Sequence, residues 1–427
     1  MLMKTEKFQN NLEYAHFLDD MDTLFAIRQR FQMPQENGED VIYLCGNSLG
    51  LQPASAGYLF NKELKKWAEL GVDGHFADEN PWFSYAEDCR ASIARLVGAK
   101  VHEVIAMNTL TVNLHLLMIS FYKPTKERYK IIMESSAFPS DQYAMETQVK
   151  MHGLDPKEAI IELKPREGEH TLNEEDILAT IEAHKDSLAL VMMGGVHYYT
   201  GQLFPLEKIA KKAHEAGALC GFDLAHAAGN VVLELHDWGV DFACWCTYKY
   251  LNAGPGAVGA IFVHEKWAND PEVFRLGGWW GNDPDTRFKM EKGFVPSKGA
   301  QSWQMSNAPV FNMIGLRSSL DIFDVVAVAK LREKSVVLTS YLYFLLEPLT
   351  EYGFEIITPA EPEQRGAQLS LLFKEEGKEL FDFLLSKGVV ADWREPDVIR
   401  VAPVPLYNTF EEVYRFAELI KSYFTTS

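Results

Sequence analysis

Asp223 and Lys249 stand close together in the stretch ALCGFDLAHAAGNVVLELHDWGVDFACWCTYKYLNAGPGAVGAIFV, residues 218–263, and their side chains are chemically complementary. A lysine amine can condense with an aldehyde, and a carboxylate can keep a pyridine nitrogen protonated so that the ring accepts electrons. Asp223 ends one apolar run, and Lys249 follows the next, Asp241–Thr247. If both runs are parallel strands, both side chains emerge at the carboxyl edge of the sheet, where ligand sites of α/β proteins form. Alone, the aspartate would read as a helix cap and the lysine as a surface charge. The apolar approach Phe242-Ala243-Cys244-Trp245-Cys246 and the Gly254-Pro255-Gly256 turn argue against a surface lysine. Desolvation there favours the uncharged, nucleophilic amine.

A phosphate needs backbone N–H groups, which a helix supplies at its start when it follows a strand. Val104–Met107 followed by Asn108-Thr109-Leu110-Thr111-Val112-Asn113 meets that need without a glycine-rich loop, although a threonine there also serves as a plain helix cap. Phe138, in Ala137-Phe138-Pro139-Ser140-Asp141, has the side chain to stack on a pyridine ring, or equally to fill a core.

The elements that must position these residues alternate. Lys62–Leu70, Ser84–Val97, Glu174–His184 and Leu206–Ala216 read as helices, with one more around Leu18–Phe31. Short apolar runs at Val104–Met107, Lys130–Met133, Ala189–Met193, Ala218–Phe222, Asp241–Cys246 and Ala257–Val263 lack polar alternation, as expected of strands buried on both faces. The pattern predicts an open, mainly parallel sheet flanked by helices. Past Pro309, Asn312–Leu349 reads as one or two long helices, followed by strands near Phe354–Ile357, Gln368–Phe373 and Val398–Val401 and a helix at Glu379–Ser386. A capping box, Thr409-Phe410-Glu411-Glu412, opens the last helix. The expected division is an N-terminal helix and loop segment at 1–54, a large domain at 55–308 and a smaller α+β domain at 309–427.

The chain has 427 residues, 47% hydrophobic and 24% charged, with a formal charge of −19. That acidity argues against a nucleic-acid or anionic-membrane binder. The polar start MLMKTEKFQN resembles no signal peptide, and the longest apolar runs are too short to span a bilayer. Five scattered cysteines do not form a disulfide framework, and Cys244 and Cys246 read as buried thiols. Together these features predict a reducing, cytoplasmic setting with no metal.

The motifs GFDLAHAAGN, HDWGVDFACWC and TYKYLNAG between residues 221 and 254 resemble the cofactor segment of kynureninases. GNSLGLQP (46–53), TVNLHLLM (111–118), AFPSD (137–141), GVHYYTGQ (195–202), TRFKM (286–290) and IRVAPVPLYN (399–408) resemble further motifs of that family, in the family's order. The resemblance implies a fold-type-I pyridoxal-phosphate enzyme, homodimeric with sites near the subunit interface. It would cleave kynurenine or 3-hydroxykynurenine to L-alanine and anthranilate or 3-hydroxyanthranilate, in tryptophan catabolism or NAD biosynthesis. By position it implies that Lys249 forms the Schiff base and that Asp223 partners the pyridine nitrogen. Leu110 and Thr111 would bind phosphate, Phe138 would cover the ring, and Pro139, Ser140 and Asp141 share its motif. His226 and Tyr248 match cofactor contacts, Tyr248 also being the candidate acid/base. Trp279 and Asn307 would lie near the cofactor at the interface, and Arg400 would grip the substrate's α-carboxylate. His75 and the pair Ser306-Asn307 match the animal-type pattern associated with 3-hydroxykynurenine. Gly194 departs from the family's usual Ser or Thr, which predicts the loss of one hydroxyl contact.

Other readings remain open at this level. A cysteine desulfurase or aminotransferase shares the Lys and Asp. A metal-dependent hydrolase could use Asp223, His226, His236 and Asp237, although no HExxH-like array accompanies them. A catalytically silent binding protein on an enzyme fold is the third class.

Overall fold

In the computed structural model, which describes residues 7–77 and 80–426, the six flat apolar runs and the unexpected strand Ile160–Leu163 form one seven-stranded sheet. Its strands are β1 (Val104–Ala106), β2 (Lys130–Glu134), β3 (Ile160–Leu163), β4 (Leu188–Gly194), β5 (Leu219–Asp223), β6 (Phe242–Cys246) and β7 (Gly259–Val263). They lie in the order β1-β7-β6-β5-β4-β2-β3. Neighbours run parallel, except that β7 is antiparallel to both β6 and β1. Every residue of β1, β6 and β7 is buried, which is why these strands carry no polar alternation. The helix Leu206–Glu215 has the opposite pattern. Its buried Leu206, Ile209, Ala210 and Ala213 form one stripe against the sheet, while its charged residues face outward. Each fully buried aliphatic side chain of such a stripe contributes roughly 1.5–3 kcal/mol.

A second apolar core joins both ends of the chain. Tyr14, Ala15, Leu18 and Leu44 pack with side chains from Leu338 to Ile420. Its sheet comprises β8 (Phe354–Ile356), β9 (Leu369–Phe373), β10 (Asp392–Arg394) and β11 (Val398–Val401), antiparallel in the order β8-β9-β11-β10. The helix Val328–Leu346 spans both cores, with Leu331 in the first and Leu338 in the second. The capping box at Thr409 forms, with Glu412 N donating to Thr409 Oγ1 at 3.1 Å and Thr409 N donating to the Glu412 carboxylate at 3.2 Å. Asp19 adds to it from the first helix, accepting from the backbone N–H of Phe410 and Glu411.

Several expected boundaries move. The helix expected around Leu18–Phe31 is instead Leu12–Asp20, followed by a 3₁₀ turn at Phe25–Arg30. The Asn11 side chain caps the helix by accepting from Tyr14 N, and Asp22 then turns the chain by accepting from Leu24 N. The second helix begins earlier than expected, at Ala56, and the third becomes α-helical only at Arg90. All five cysteines are free, Cys244 and Cys246 buried among them. Among the described residues no helix is long and apolar enough to cross a membrane. The residues MLMKTE, read above as a polar start, lie outside the described residues.

Candidate active site

Parallel pairing sets Asp223, the last residue of β5, beside Cys244, and β6 runs on to Cys246 at the same edge of the sheet. Three residues beyond β6 the chain turns back sharply. Asn252 N donates to Lys249 O at 2.9 Å, Ala253 N to Thr247 O at 3.0 Å, and Thr247 Oγ1 to Val258 O at 2.6 Å. The Gly46–Gly50 loop braces this turn, since Gly50 N donates to Tyr248 O at 2.8 Å. A Cβ on Gly50 would stand 2.2 Å from Lys249 O, so only glycine fits against the lysine's backbone.

Lys249 and Asp223 share one pocket with Tyr248, His226, Phe138 and Asp141. Lys249 Nζ lies 2.9 Å from His226 Nε2 and 5.7 Å from the centre of the Phe138 ring. Burial and the adjacent Lys249 charge hold the His226 imidazole well below its ordinary range, so it is neutral and Nε2 can accept from the amine. His226 Nδ1 and Asp141 Oδ1 are both buried and, among the described residues, have no partner. Asp223 accepts from Ala225 N at 2.7 Å. Burial raises the Asp223 carboxyl, and the Ala225 N–H and Lys249 oppose that rise. Asp141 is held well above the carboxylate range by burial and by the charges of Asp223 and Glu134, so Asp141 is the member of the pair that keeps a proton. Burial and the Cys246 thiol raise Tyr248, which keeps its hydroxyl proton.

Leu110, Thr111 and Ser140 line the same pocket. Leu110 opens the helix Leu110–Phe121, and Thr109 before it makes no side-chain cap bond, which leaves first-turn N–H groups for an anion. Pro139 lies at the first position of the helix Pro139–Met151, where its fixed φ suits a helix start, and it does not line the pocket. Phe138, just before it, is 41% exposed and meets Tyr198 edge-on at 5.3 Å.

Besides Pro139, four expected residues do not line this chain's pocket. Arg400 reaches its wall indirectly, donating from Nη1 to Tyr198 O at 2.5 Å. Trp279 packs against Trp280 and Phe288, Asn307 is exposed, and His75 packs edge-on against Trp82. Sequence reasoning missed Glu134 and Tyr198, which line the pocket, and Asp392, which pairs with Arg400. Glu134 and Asp392 carry no local signal, because each meets its partner only through the fold, whereas Tyr198 lies in the motif GVHYYTGQ without having been singled out there.

The metal set is not assembled. His226 faces Lys249, whereas His236 hydrogen-bonds Glu103 at 2.9 Å and Asp237 is exposed. Among the described residues, the histidines and carboxylates that do converge are Glu103, His236 and His264. Those two imidazoles stack 4.8 Å apart at 19°, and none of the three residues lines the pocket of Lys249 and Asp223.

Residues 331–420 match the family model of the kynureninase C-terminal domain. Over 417 residues, 97% of this chain and 98% of the relative, the chain is 52% identical to the kynureninase of Flavobacterium psychrophilum. It is 53% identical over the same span to that of Myxococcus xanthus, again covering 97% of this chain and 98% of the relative. It is 47% identical to that of Nematostella vectensis, covering 97% of this chain and 94% of the relative. The chain belongs to the kynureninase family. A cysteine desulfurase from Thermococcus onnurineus superposes with a TM-score of 0.73 at 18% identity, over 91% of this chain and 95% of that one. At that identity the desulfurase shares the fold-type-I architecture and nothing more specific. Pyridoxal phosphate is the cofactor, and the donor set fits it. An amine, a carboxylate, an aromatic face and a helix start converge beside buried polar atoms that still lack partners.

Proposed function

We propose residue roles for the kynureninase reaction, the hydrolytic cleavage of L-kynurenine or its 3-hydroxy form to L-alanine and anthranilate or 3-hydroxyanthranilate, a step of tryptophan catabolism. The observation that carries them is the convergence of Lys249, Asp223 and the open helix start at Leu110-Thr111 on one pocket. Bound there, pyridoxal phosphate supplies an electron sink for the charge that develops at Cα and for the charge released when the Cβ–Cγ bond breaks. Lys249 anchors the cofactor, and its freed amine carries the proton to and from Cα. Asp223 holds the ring-nitrogen proton, while protonated Asp141 donates to Asp223 and keeps the negative charge on that residue. Phe138 covers the ring, and the N–H groups of Leu110 and Thr111, with Ser140, receive the phosphate. Tyr248, protonated across the neutral range, hydrogen-bonds the phosphate and supplies a proton late in the cycle. Arg400 orients the substrate's α-carboxylate.

A second copy of the chain completes the site. Trp279, Asn307 and His75 lie outside their own chain's pocket, and Trp279 and His75 adjoin an aromatic surface that includes Phe76, 70% exposed, and Phe288. Rings link that surface from Phe76 through Phe83 to Phe288 and on to Trp279, a continuity uncommon on a monomer. A twofold dimer would cover it. His75 and Asn307 support 3-hydroxykynurenine as the preferred substrate. The free thiols support a reducing, cytoplasmic setting. The division at residues 54 and 308 belongs to the same proposal, with the second core as the body of the last unit.

The experiment is to load the protein with pyridoxal phosphate, offer each kynurenine and measure L-alanine and the matching anthranilate. Absence of product from both, with cofactor bound, sinks the reading. Sulfide from cysteine, or keto acid from an amino donor, would move the chain to the desulfurases or aminotransferases.

A further inference from the structure

Glu134 ends β2 inside the pocket wall, yet no motif marks it and the roles above leave it unused. Its side chain is buried, at 5% exposure, and accepts the N–H of Gly194 through both oxygens, at 3.0 and 3.2 Å. Gly194 ends β4, the neighbouring strand. A Cβ at position 194 would stand 2.9 Å from Glu134 Oε1, closer than real Cβ contacts allow. A hydroxyl-bearing residue at 194 and the observed Glu134 carboxyl therefore compete for one volume.

We propose that Glu134 is a positioning residue of the cofactor pocket: paired with Gly194, it supplies the polar group that a side chain at 194 would otherwise supply, and it shares one wall with Asp141 and Asp223 as the third carboxyl of a cluster. The proposal rests on the pocket being the cofactor site. Three carboxyls meet here, and each added negative charge raises the cost of ionising the next. Asp223 faces Glu134 from the end of β5 and Asp141 from the helix Pro139–Met151. Across the pocket Lys249 acts on Asp141 and Asp223. His197, which shares a neighbouring cavity with Glu134, is neutral, because burial holds it at about 4. Burial first, and then the Asp223 charge, push Glu134 up to about 7. A carboxyl raised in the folded state contributes stability that is full below its ordinary range and is lost as pH rises through about 7.

Two measurements test this. The first is the melting temperature of the cofactor-free protein between pH 5.5 and 8.5, for the unsubstituted chain and for Glu134→Gln, which keeps an acceptor for Gly194 N–H but cannot ionise. The unsubstituted chain should lose thermal stability across this range, and Glu134→Gln should lose distinctly less. The second is the equilibrium affinity for pyridoxal phosphate of Gly194→Ser, Glu134→Ala and the double variant. Gly194→Ser alone should weaken binding roughly tenfold, as an overpacked contact does, and adding Glu134→Ala should recover most of that loss. Identical pH profiles for the two chains, or losses that simply multiply in the double variant, would overturn the proposal. If the unsubstituted protein binds no cofactor, the pocket assignment fails, while the pH comparison still decides whether Glu134 carries the titration.

Discussion

Arg400 and Asp392 form an ion pair across the register of β11 and β10, with the arginine only 1% exposed. The same guanidinium donates to Tyr198 O, and Tyr198 packs against Phe138, so the small sheet is tied directly to the wall of the cofactor pocket. Asp392 also pairs with Arg394 at 3.0 Å and is the carboxylate that balances both arginines.

Asp392→Asn should therefore strand a buried charge. We expect a stability loss of about 3–5 kcal/mol in urea unfolding. In the surviving folded enzyme KM for kynurenine should rise more than kcat falls, because Arg400 loses its orientation before any reacting atom is disturbed. Unchanged stability and KM would remove Asp392 from the account.

Gly50→Ala should damage the site from behind. The added methyl would collide with the Lys249 carbonyl and with Asn252 Oδ1, 2.4 Å away, so the turn carrying the lysine must shift. Overpacking of this kind costs about 1–3 kcal/mol, and activity should fall by more than the fraction unfolded explains. Turnover per folded molecule, with folding followed by circular dichroism, checks this.

Tyr248→Phe removes a protonated hydroxyl without changing the ring. If that hydroxyl moves a proton in a slow step, kcat falls by about 10²–10⁴-fold while the cofactor stays bound. If it only holds phosphate, cofactor affinity falls and kcat at saturating cofactor is retained. Titrating the variant with cofactor before the assay separates the two roles.

A shared site makes an unusual prediction for mixtures. Lys249→Ala and Trp279→Ala should each be nearly inactive. After co-refolding, hybrid dimers would hold one intact site, restoring about a quarter of normal activity. A mixture no better than its parts would show that each chain builds its site alone.

Much of the fold was legible because burial on both faces leaves a simple trace. Phe242–Cys246 and Gly259–Val263 are uniformly apolar and fully buried, and both were read as strands. Ile160–Leu163 was missed. It is an edge strand, half-exposed with Glu162 inside it, and the flanking Pro-Lys-Glu-Ala forms a short helical turn. The first helix was set too late because its true start depends on one cap, Asn11, and not on apolar spacing. In the site, Asp223 and Lys249 were readable because Asp223 ends one buried strand and Lys249 follows the next. Glu134 was not, because its partner Gly194 lies 60 residues away and the pair exists only where β2 meets β4. The separation of His236 from His226 was equally hidden, since closeness in sequence gave no sign that one faces Lys249 and the other Glu103.

The most direct test of the central claim is to treat the cofactor-loaded protein with borohydride, digest it and map the modified peptide by mass. We expect one pyridoxyl group, on Lys249, and a protein left colourless and unmodified by the same treatment after Lys249→Ala. A pyridoxyl group on another lysine, or unchanged absorbance and labelling in Lys249→Ala, would contradict the account.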